Sequence, residues 1–295
     1  MSKLHVSQTF YSFQGEGSRT GNLAVWLRLF GCNLRCPGFS QPDPADPKTY
    51  IKPISFDPKS IKVLDDFPVL EYGCDTLYAI DPRFKHLKRS MEILNVWDEI
   101  KGLLPNGKWE HPVTKNKIDL CITGGEPLLQ QKALNELLKN IAIFHLDSSL
   151  NAIKPYVQFE TNGTQVLSDE FSETIYFYYT KVQFNVSLKL KNVSGEDYDW
   201  DHNVIRSLMA ACGKVDLKIV LNSSDKAWDE LMYKTESLFS KLGSLPQIYI
   251  MPVGSTREQQ TNEKELEIIT KRALDAGFHI SGRLHAVLLG NDVNV

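Results

Sequence analysis

The chain has 295 residues, 42% of them apolar and 10% aromatic, enough to bury a sizeable core as one large domain or two smaller ones. A formal net charge of -3 leaves no excess of Lys and Arg to favour a phosphate polymer, so composition argues against a nucleic-acid partner. No run approaches the roughly 20 apolar residues of a membrane span. Residues 1–10 also lack the apolar core of a signal peptide, and the expected setting is the cytoplasm, with no membrane partner. Five cysteines, an odd count in a chain without an export signal, favour metal or catalytic use over disulfides.

In chain order, residues 23–30 form an apolar run broken only by Arg28, a first buried strand leading into Gly31 and Cys32. Between Pro37 and Pro68 lie seven of the 14 prolines, interleaved with Asp and Ser, so regular helix or a central strand is disfavoured and an inserted loop is expected. From about residue 115 onward, β-branched and aromatic runs at 117–122, 156–160, 182–187, 215–221 and 247–251 read as strands. Stretches 128–144, 201–211, 225–242 and 262–276 carry apolar residues at three-and-four spacing and read as helices. Strand followed by helix several times over implies an α/β fold with parallel strands, compatible with an open doubly wound sheet or a full or partial barrel. The polar stretch 190–199 reads as a surface loop, and there is no internal repeat.

Cys32-Asn-Leu-Arg-Cys36 directly after a buried strand is the first chemical signal, since thiolates on a tight loop can converge on one metal. Taken alone, the pair is equally two small apolar residues or half of a zinc site, although no second Cys/His pair follows. Cys121 within a strand pattern and Cys212 at a helix end read as core thiols. Cys74 stands apart in the polar turn Tyr72-Gly73-Cys74-Asp75-Thr76. Thr123-Gly124-Gly125-Glu126-Pro127 joins a strand to a helix; its glycines would let a ligand approach the backbone, and Glu126 could accept hydrogen bonds from an ammonium group. The same residues also suit a purely structural turn, with Pro in the first helical turn and Glu at the positive end of the helix dipole.

Together these motifs resemble the radical S-adenosylmethionine (SAM) enzymes, with the cluster loop C-x3-C-x2-C stretched so that 37 residues separate its second and third cysteines. Phe13-Gln14-Gly15-Glu16-Gly17, Arg28, Cys74-Asp75-Thr76, Glu160-Thr161-Asn162-Gly163, Ser187-Leu188-Lys189, Met251-Pro252 and Arg283-Leu284-His285 occur in the order seen in the 7-carboxy-7-deazaguanine synthase family. The resemblance runs from about Phe10 to the C-terminus, interrupted by the proline-rich stretch. Two departures stand out: Gly73 replaces the usual aromatic residue beside the adenine, leaving that contact to Tyr72 or the insertion, and Leu188 replaces a common Pro.

The resemblance implies a radical SAM partial TIM-like β/α barrel, a single domain over 1–295 with an insertion at about 37–73 in the cluster loop. It implies a [4Fe–4S] cluster on Cys32, Cys36 and Cys74 with one iron left open for SAM, and Mg2+ on Thr76. Gly73, Asp75, Gly125, Glu126, Ser187, Leu188, Lys189, Met251, Pro252, Val253 and Gly254 would line the SAM site. Phe13, Gln14, Gly15, Glu16, Arg28, Thr123 and the terminal carboxylate of Val295 would hold a pterin. The implied reaction is radical ring contraction of 6-carboxy-5,6,7,8-tetrahydropterin to 7-carboxy-7-deazaguanine with loss of ammonia, a lyase step of queuosine biosynthesis. A homodimer and an electron donor such as flavodoxin or ferredoxin are implied with it. Two alternatives share the cluster loop: an activating enzyme for a glycyl-radical enzyme, and a non-catalytic cluster-binding homologue.

Overall fold

The computed structural model describes residues 2–147 and 154–291. Nine strands form one sheet: β1 Lys3–Phe13, β2 Leu23–Leu29, β3 Arg89–Glu92, β4 Asp119–Gly124, β5 Val157–Thr161, β6 Val182–Val186, β7 Val215–Leu221, β8 Gln247–Pro252 and β9 His279–Ile280. Their spatial order is β3-β1-β2-β4-β5-β6-β7-β8-β9. β1 runs antiparallel to both β2 and β3, and every pair from β2 to β9 is parallel.

Among the described residues there are ten α-helices, of which all but the last lie between strands: α1 Leu77–Ile80, α2 Ile93–Leu103, α3 Gln131–Asp147, α4 Asp169–Tyr178, α5 Lys191–Ser194, α6 His202–Cys212, α7 Asp225–Leu242, α8 Arg257–Gln260, α9 Glu263–Asp275 and α10 Leu284–Leu289. Helix starts follow side-chain capping. Asp201 accepts from Asn203 N before α6, Ser224 from Ala227 N before α7, and Asn262 from Glu265 N before α9. The three-and-four spacing of Ile93, Val96, Trp97 and Ile100 gives α2 one apolar stripe, which is buried on the sheet.

Observed elements agree with the sequence reading within a few residues for β2 and for every strand and helix expected beyond residue 115. The strand expected at 117–122 begins later, at Asp119, because Lys117 pairs antiparallel with Glu110 and Ile118 N bonds Trp109 O before the parallel ladder with β2 starts. Sequence reading left β1, β3, α2 and α4 unassigned. Stretch 190–199 is not the expected surface loop: Leu190, Val193 and Ser194 are buried, and α5 begins there.

The strands present two chemically different faces. Leu120, Ile122, Phe159, Phe184, Leu217, Ile219 and Ile250 sit in the main hydrophobic core with the helices. In register on the other face lie Gln8 and Arg28, Arg28 and Thr123, Cys121 and Gln158, Glu160 and Asn185, then Lys218 beside Tyr249. This polar face of a buried parallel sheet is where the site is built.

The proline-rich stretch forms short 3-10 turns at Pro47–Thr49, Pro58–Ser60 and Leu64–Asp66, as its prolines dictate. Ile61, Phe67 and Leu70 make a second, smaller apolar cluster with Leu77, Tyr78, Ile80 and Phe84. Among the described residues, no helix is long and apolar enough to cross a membrane.

Candidate active site

One pocket opens over the polar face of the sheet, at the C-terminal ends of the parallel strands. Its walls include Phe13, Gln14, Glu16, Arg28, Cys32, Cys36, Gly73, Cys74, Asp75, Thr76, Thr123, Gly125, Ser187, Lys189 and the stretch Met251, Pro252, Val253, Gly254. Residues more than 200 positions apart in the chain are thus brought to one cavity.

Three of the named residues are not on its wall. Leu188 is buried in the main core and packs on Gly163. Gly15 lies against His285, which would collide with any side chain there, and its carbonyl accepts from Leu284 N at 2.8 Å. Glu126 is fully buried behind the pocket, accepting from Leu128 N at 2.9 Å, Thr161 Oγ1 at 2.8 Å and Asn162 N at 2.6 Å. Its carboxylate ties the ends of β4 and β5 together. Burial pushes its pKa up to about 7, against the pull of those backbone N–H donors. Val295 lies outside the described residues.

The two glycines before Glu126 line the pocket and also allow a close approach within the protein. A Cβ on Gly124 would meet the Leu29 backbone, and one on Gly125 would meet the Gly31 carbonyl and Cys32 Cβ. The close approach they permit is to the cysteine loop, so the β4 turn and the end of β2 are locked together.

Cys32, Cys36 and Cys74 are all free thiols. Cys36 is buried, and its pKa lies well above the ordinary value, first through burial and then through the Cys74, Glu196 and Cys32 charges, with Lys189 opposing. Burial likewise pushes Cys74 up to about 11 and raises Cys32. Sulfur is already hydrogen-bonded: Leu34 N donates to Cys32 Sγ at 3.4 Å, and Asn162 Nδ2 to the same sulfur at 3.7 Å. Thr76 Oγ1 and Cys74 Sγ share a contact of 3.4 Å. Among the described residues, no group of three or more His, Cys, Asp or Glu side chains is gathered as tightly as metal ligands require. Three soft, free sulfur donors on one wall, electrostatically coupled to one another, nonetheless suit an iron–sulfur centre in donor chemistry.

The rest of the pocket floor is a charged network. Lys218 Nζ bonds Glu160 Oε2 at 2.5 Å and also contacts Glu16 Oε2. Arg283 donates to Glu16 Oε1 at 2.9 Å, to Asp75 Oδ2 at 2.5 Å and to Gly254 O at 2.9 Å. Gln14 Nε2 reaches Gln158 Oε1 at 3.1 Å and Glu160 Oε1 at 3.0 Å, and Asn185 Nδ2 reaches the latter at 2.8 Å. Despite its burial, Glu16 is held far below the usual carboxylate range by Lys218 and Arg283. His285 is pushed down to about 4 by burial and by Arg283. Arg28 Nε is buried without a hydrogen-bond partner on the same floor, a donor left over for an anionic group.

Sequence reasoning missed Lys218, Gln158, Asn185 and the site role of Glu160, although a signal existed. Val157-Gln-Phe-Glu-Thr, Val182-Gln-Phe-Asn-Val and Val215-Asp-Leu-Lys-Ile alternate apolar and polar residues, whereas parallel strands covered on both faces usually read as continuous apolar runs. Reading that alternation would have marked one face as a polar cavity wall. Tyr72 is not on the wall, whereas Phe39, Ser40, Phe67, Pro68 and Val69 from the proline-rich stretch are.

No protein-family model matches the chain. A relative from Hyperthermus butylicus named 7-carboxy-7-deazaguanine synthase is 29% identical over 160 residues, covering 54% of this chain and 43% of its own length. A second of the same name, from Pyrobaculum aerophilum, is 24% identical over 292 residues, 98% of this chain and 96% of its own. The chain is thus similar in sequence to several proteins named 7-carboxy-7-deazaguanine synthase. It spans less than two thirds of the first relative's length and nearly all of the second's. The crystal structure of QueE from Escherichia coli superposes with a TM-score of 0.51 at 16% identity, over 96% of this chain and 95% of that one. That match supports an α/β fold shared with that structure, built on the large, mostly parallel sheet.

Proposed function

We propose that this chain is itself a 7-carboxy-7-deazaguanine synthase, a radical SAM lyase that contracts the ring of 6-carboxy-5,6,7,8-tetrahydropterin with loss of ammonia. The open, mostly parallel sheet is then a partial β/α barrel forming one domain, with residues 37–73 as an insertion in its cluster loop. The observation that carries this reading is a single pocket that unites Cys32, Cys36 and Cys74 with a buried acid–base network and an unpartnered Arg28 Nε.

In this reading Cys32, Cys36 and Cys74 hold the [4Fe–4S] cluster, whose partnership with SAM supplies the power to abstract a hydrogen atom. Lys189, already the cation that favours ionised Cys32 and Cys36, offsets part of the negative charge of the sulfur ligands. Asp75, Ser187 and the 251–254 stretch receive SAM, and Phe39 and Phe67 supply the apolar wall that Gly73 does not. Glu126 acts by anchoring the loop ends.

The substrate's own groups match the floor. Arg28 takes the carboxylate through its free Nε, with Thr123 beside it in register. Glu16, kept ionised by Lys218 and Arg283, and Glu160 beside it accept from the guanidine-like edge of the ring. Neutral His285 beside Glu16 is suited to exchange a proton with the ring rather than to add charge. Thr76 would offer its hydroxyl to Mg2+, an ion that would neutralise the substrate carboxylate. Binding here displaces water from the reacting face, and a reductant of the flavodoxin or ferredoxin kind supplies the electron.

The decisive experiment is anaerobic reconstitution of the full chain followed by incubation with SAM, a reductant and the carboxytetrahydropterin. Formation of 7-carboxy-7-deazaguanine, absent in Cys74→Ala, is the expected result. No product from iron-replete protein, or full iron and turnover in the Cys74→Ala variant, overturns the assignment.

A further inference from the structure

The loop between Cys32 and Cys36 is shaped by a residue far away in the chain. Arg35 N and Cys36 N, two consecutive backbone donors, both point at Glu196 Oε1, each at 2.6 Å. Cys36 itself has a positive φ of 48°, a conformation that side chains other than Gly, Asn and Asp seldom adopt without outside support. Two successive N–H groups converging on one oxygen form an anion-binding nest, and here the anion is a carboxylate of the protein's own.

Glu196 is held rigidly in turn. Its N donates to Ser194 Oγ at 3.2 Å, while Ser194 O accepts from Gly38 N at 2.8 Å, tying the end of α5 to the residues just beyond Cys36. Gly195 between them has φ 76°, and the Tyr50 hydroxyl of the insertion fills the space where its side chain would be. The stretch 194–196 is therefore clamped between the cysteine loop and the insertion. The carboxylate also acts electrostatically on Cys36, adding negative charge beside that thiol.

We infer that Glu196 is a positioning residue for the cluster loop: it fixes the backbone that aims Cys36 at the iron–sulfur centre and, as an anion beside that ligand, holds the cluster's reduction potential down. This rests on the functional reading above. Glutamine at 196 keeps an oxygen for the two N–H donors and removes the charge, whereas alanine removes both.

Full-length wild type, Glu196→Gln and Glu196→Ala separate the two effects. Hydrogen exchange of the Arg35 and Cys36 amides in iron-free protein reads the clamp alone. Protection is expected in wild type and Glu196→Gln and fast exchange in Glu196→Ala; equal exchange in all three overturns the clamp. After reconstitution, Glu196→Ala should hold iron against a chelator roughly 10- to 100-fold more weakly, as loss of supporting partners does at other metal sites. Glu196→Gln should keep iron at the wild-type level with an upward shift of the midpoint potential and an altered reduced-cluster electron paramagnetic resonance signal. An unshifted potential in Glu196→Gln, or wild-type iron retention in Glu196→Ala, overturns the inference. Wild-type protein with protected amides that takes up no iron would instead count against the functional reading.

Discussion

Glu126 and His285 are buried groups that titrate toward each other from opposite sides. Burial raises Glu126 from its usual 4.5 to about 7, so the folded state binds a proton that the unfolded chain has released, and stability falls as pH rises across that window. His285 is lowered from 6.5 to about 4, so the unfolded chain takes up the proton first, and stability falls as pH drops across its window. Between pH 4.5 and 6.5 the two slopes oppose and largely cancel. His285→Gln should therefore unmask the Glu126 slope, making stability fall with rising pH over that range, as read by chemical denaturation at several pH values. A variant with the same pH profile as wild type would show that His285 is not buried neutral. At this scale, the residue types of the site could be read from short motifs, but the orientation of Glu126 could not. A carboxylate after two glycines is equally a ligand contact and a loop anchor until its three donors are seen.

Elements with a strong period were legible because a helix or strand burying one face must repeat its apolar residues at 3.6 or 2. Helix α7 begins and ends where its apolar spacing and its Ser224 cap indicate. Stretch 37–73 had no such period, and its short turns take their shape from contacts with other elements. Phe67 meets Tyr78 and Phe84 edge-on at 5.0 and 5.1 Å, Ser255 Oγ donates to Leu70 O, and Gln259 Nε2 reaches Glu71 O at 3.2 Å. Phe67→Ala should loosen the insertion by about 3 kcal/mol, the lower end for an aromatic truncated in a core. Limited proteolysis should then cut between residues 50 and 70 while exchange protection of β4 to β7 stays unchanged. Uniform loss of protection across the sheet would instead make the insertion part of the main cooperative unit. The 190–199 stretch behaves likewise: its polarity reads as solvent exposure, yet the Ser194 hydroxyl bonds Leu190 O and Glu196 N, and the Glu196 carboxylate bonds the cysteine loop.

Across the whole molecule, the charged floor joins the loop after β1, strands β5 and β7, and the segment before α10. Lys218 is the cation between two largely buried carboxylates, Glu16 and Glu160, so its removal leaves their charge compensated only by Arg283 beside Glu16. Lys218→Met should cost about 3–5 kcal/mol of global stability, and adding Glu160→Gln to it should restore part of that loss. Thermal and denaturant unfolding of both variants measure this; a single variant as stable as wild type would mean that the network is hydrated and loose. Sequence alone determined that this is an α/β chain with parallel strands, a cysteine loop and an ordered set of motifs, because periodicity and turn chemistry act over a few residues. Only the tertiary structure decided which face of the sheet is polar, that Lys218 and Arg283 neutralise the acids around them, and that Glu196 grips Arg35 and Cys36. Those relations depend on strand register and on contacts between residues up to 267 positions apart, where no local pattern links one partner to the other.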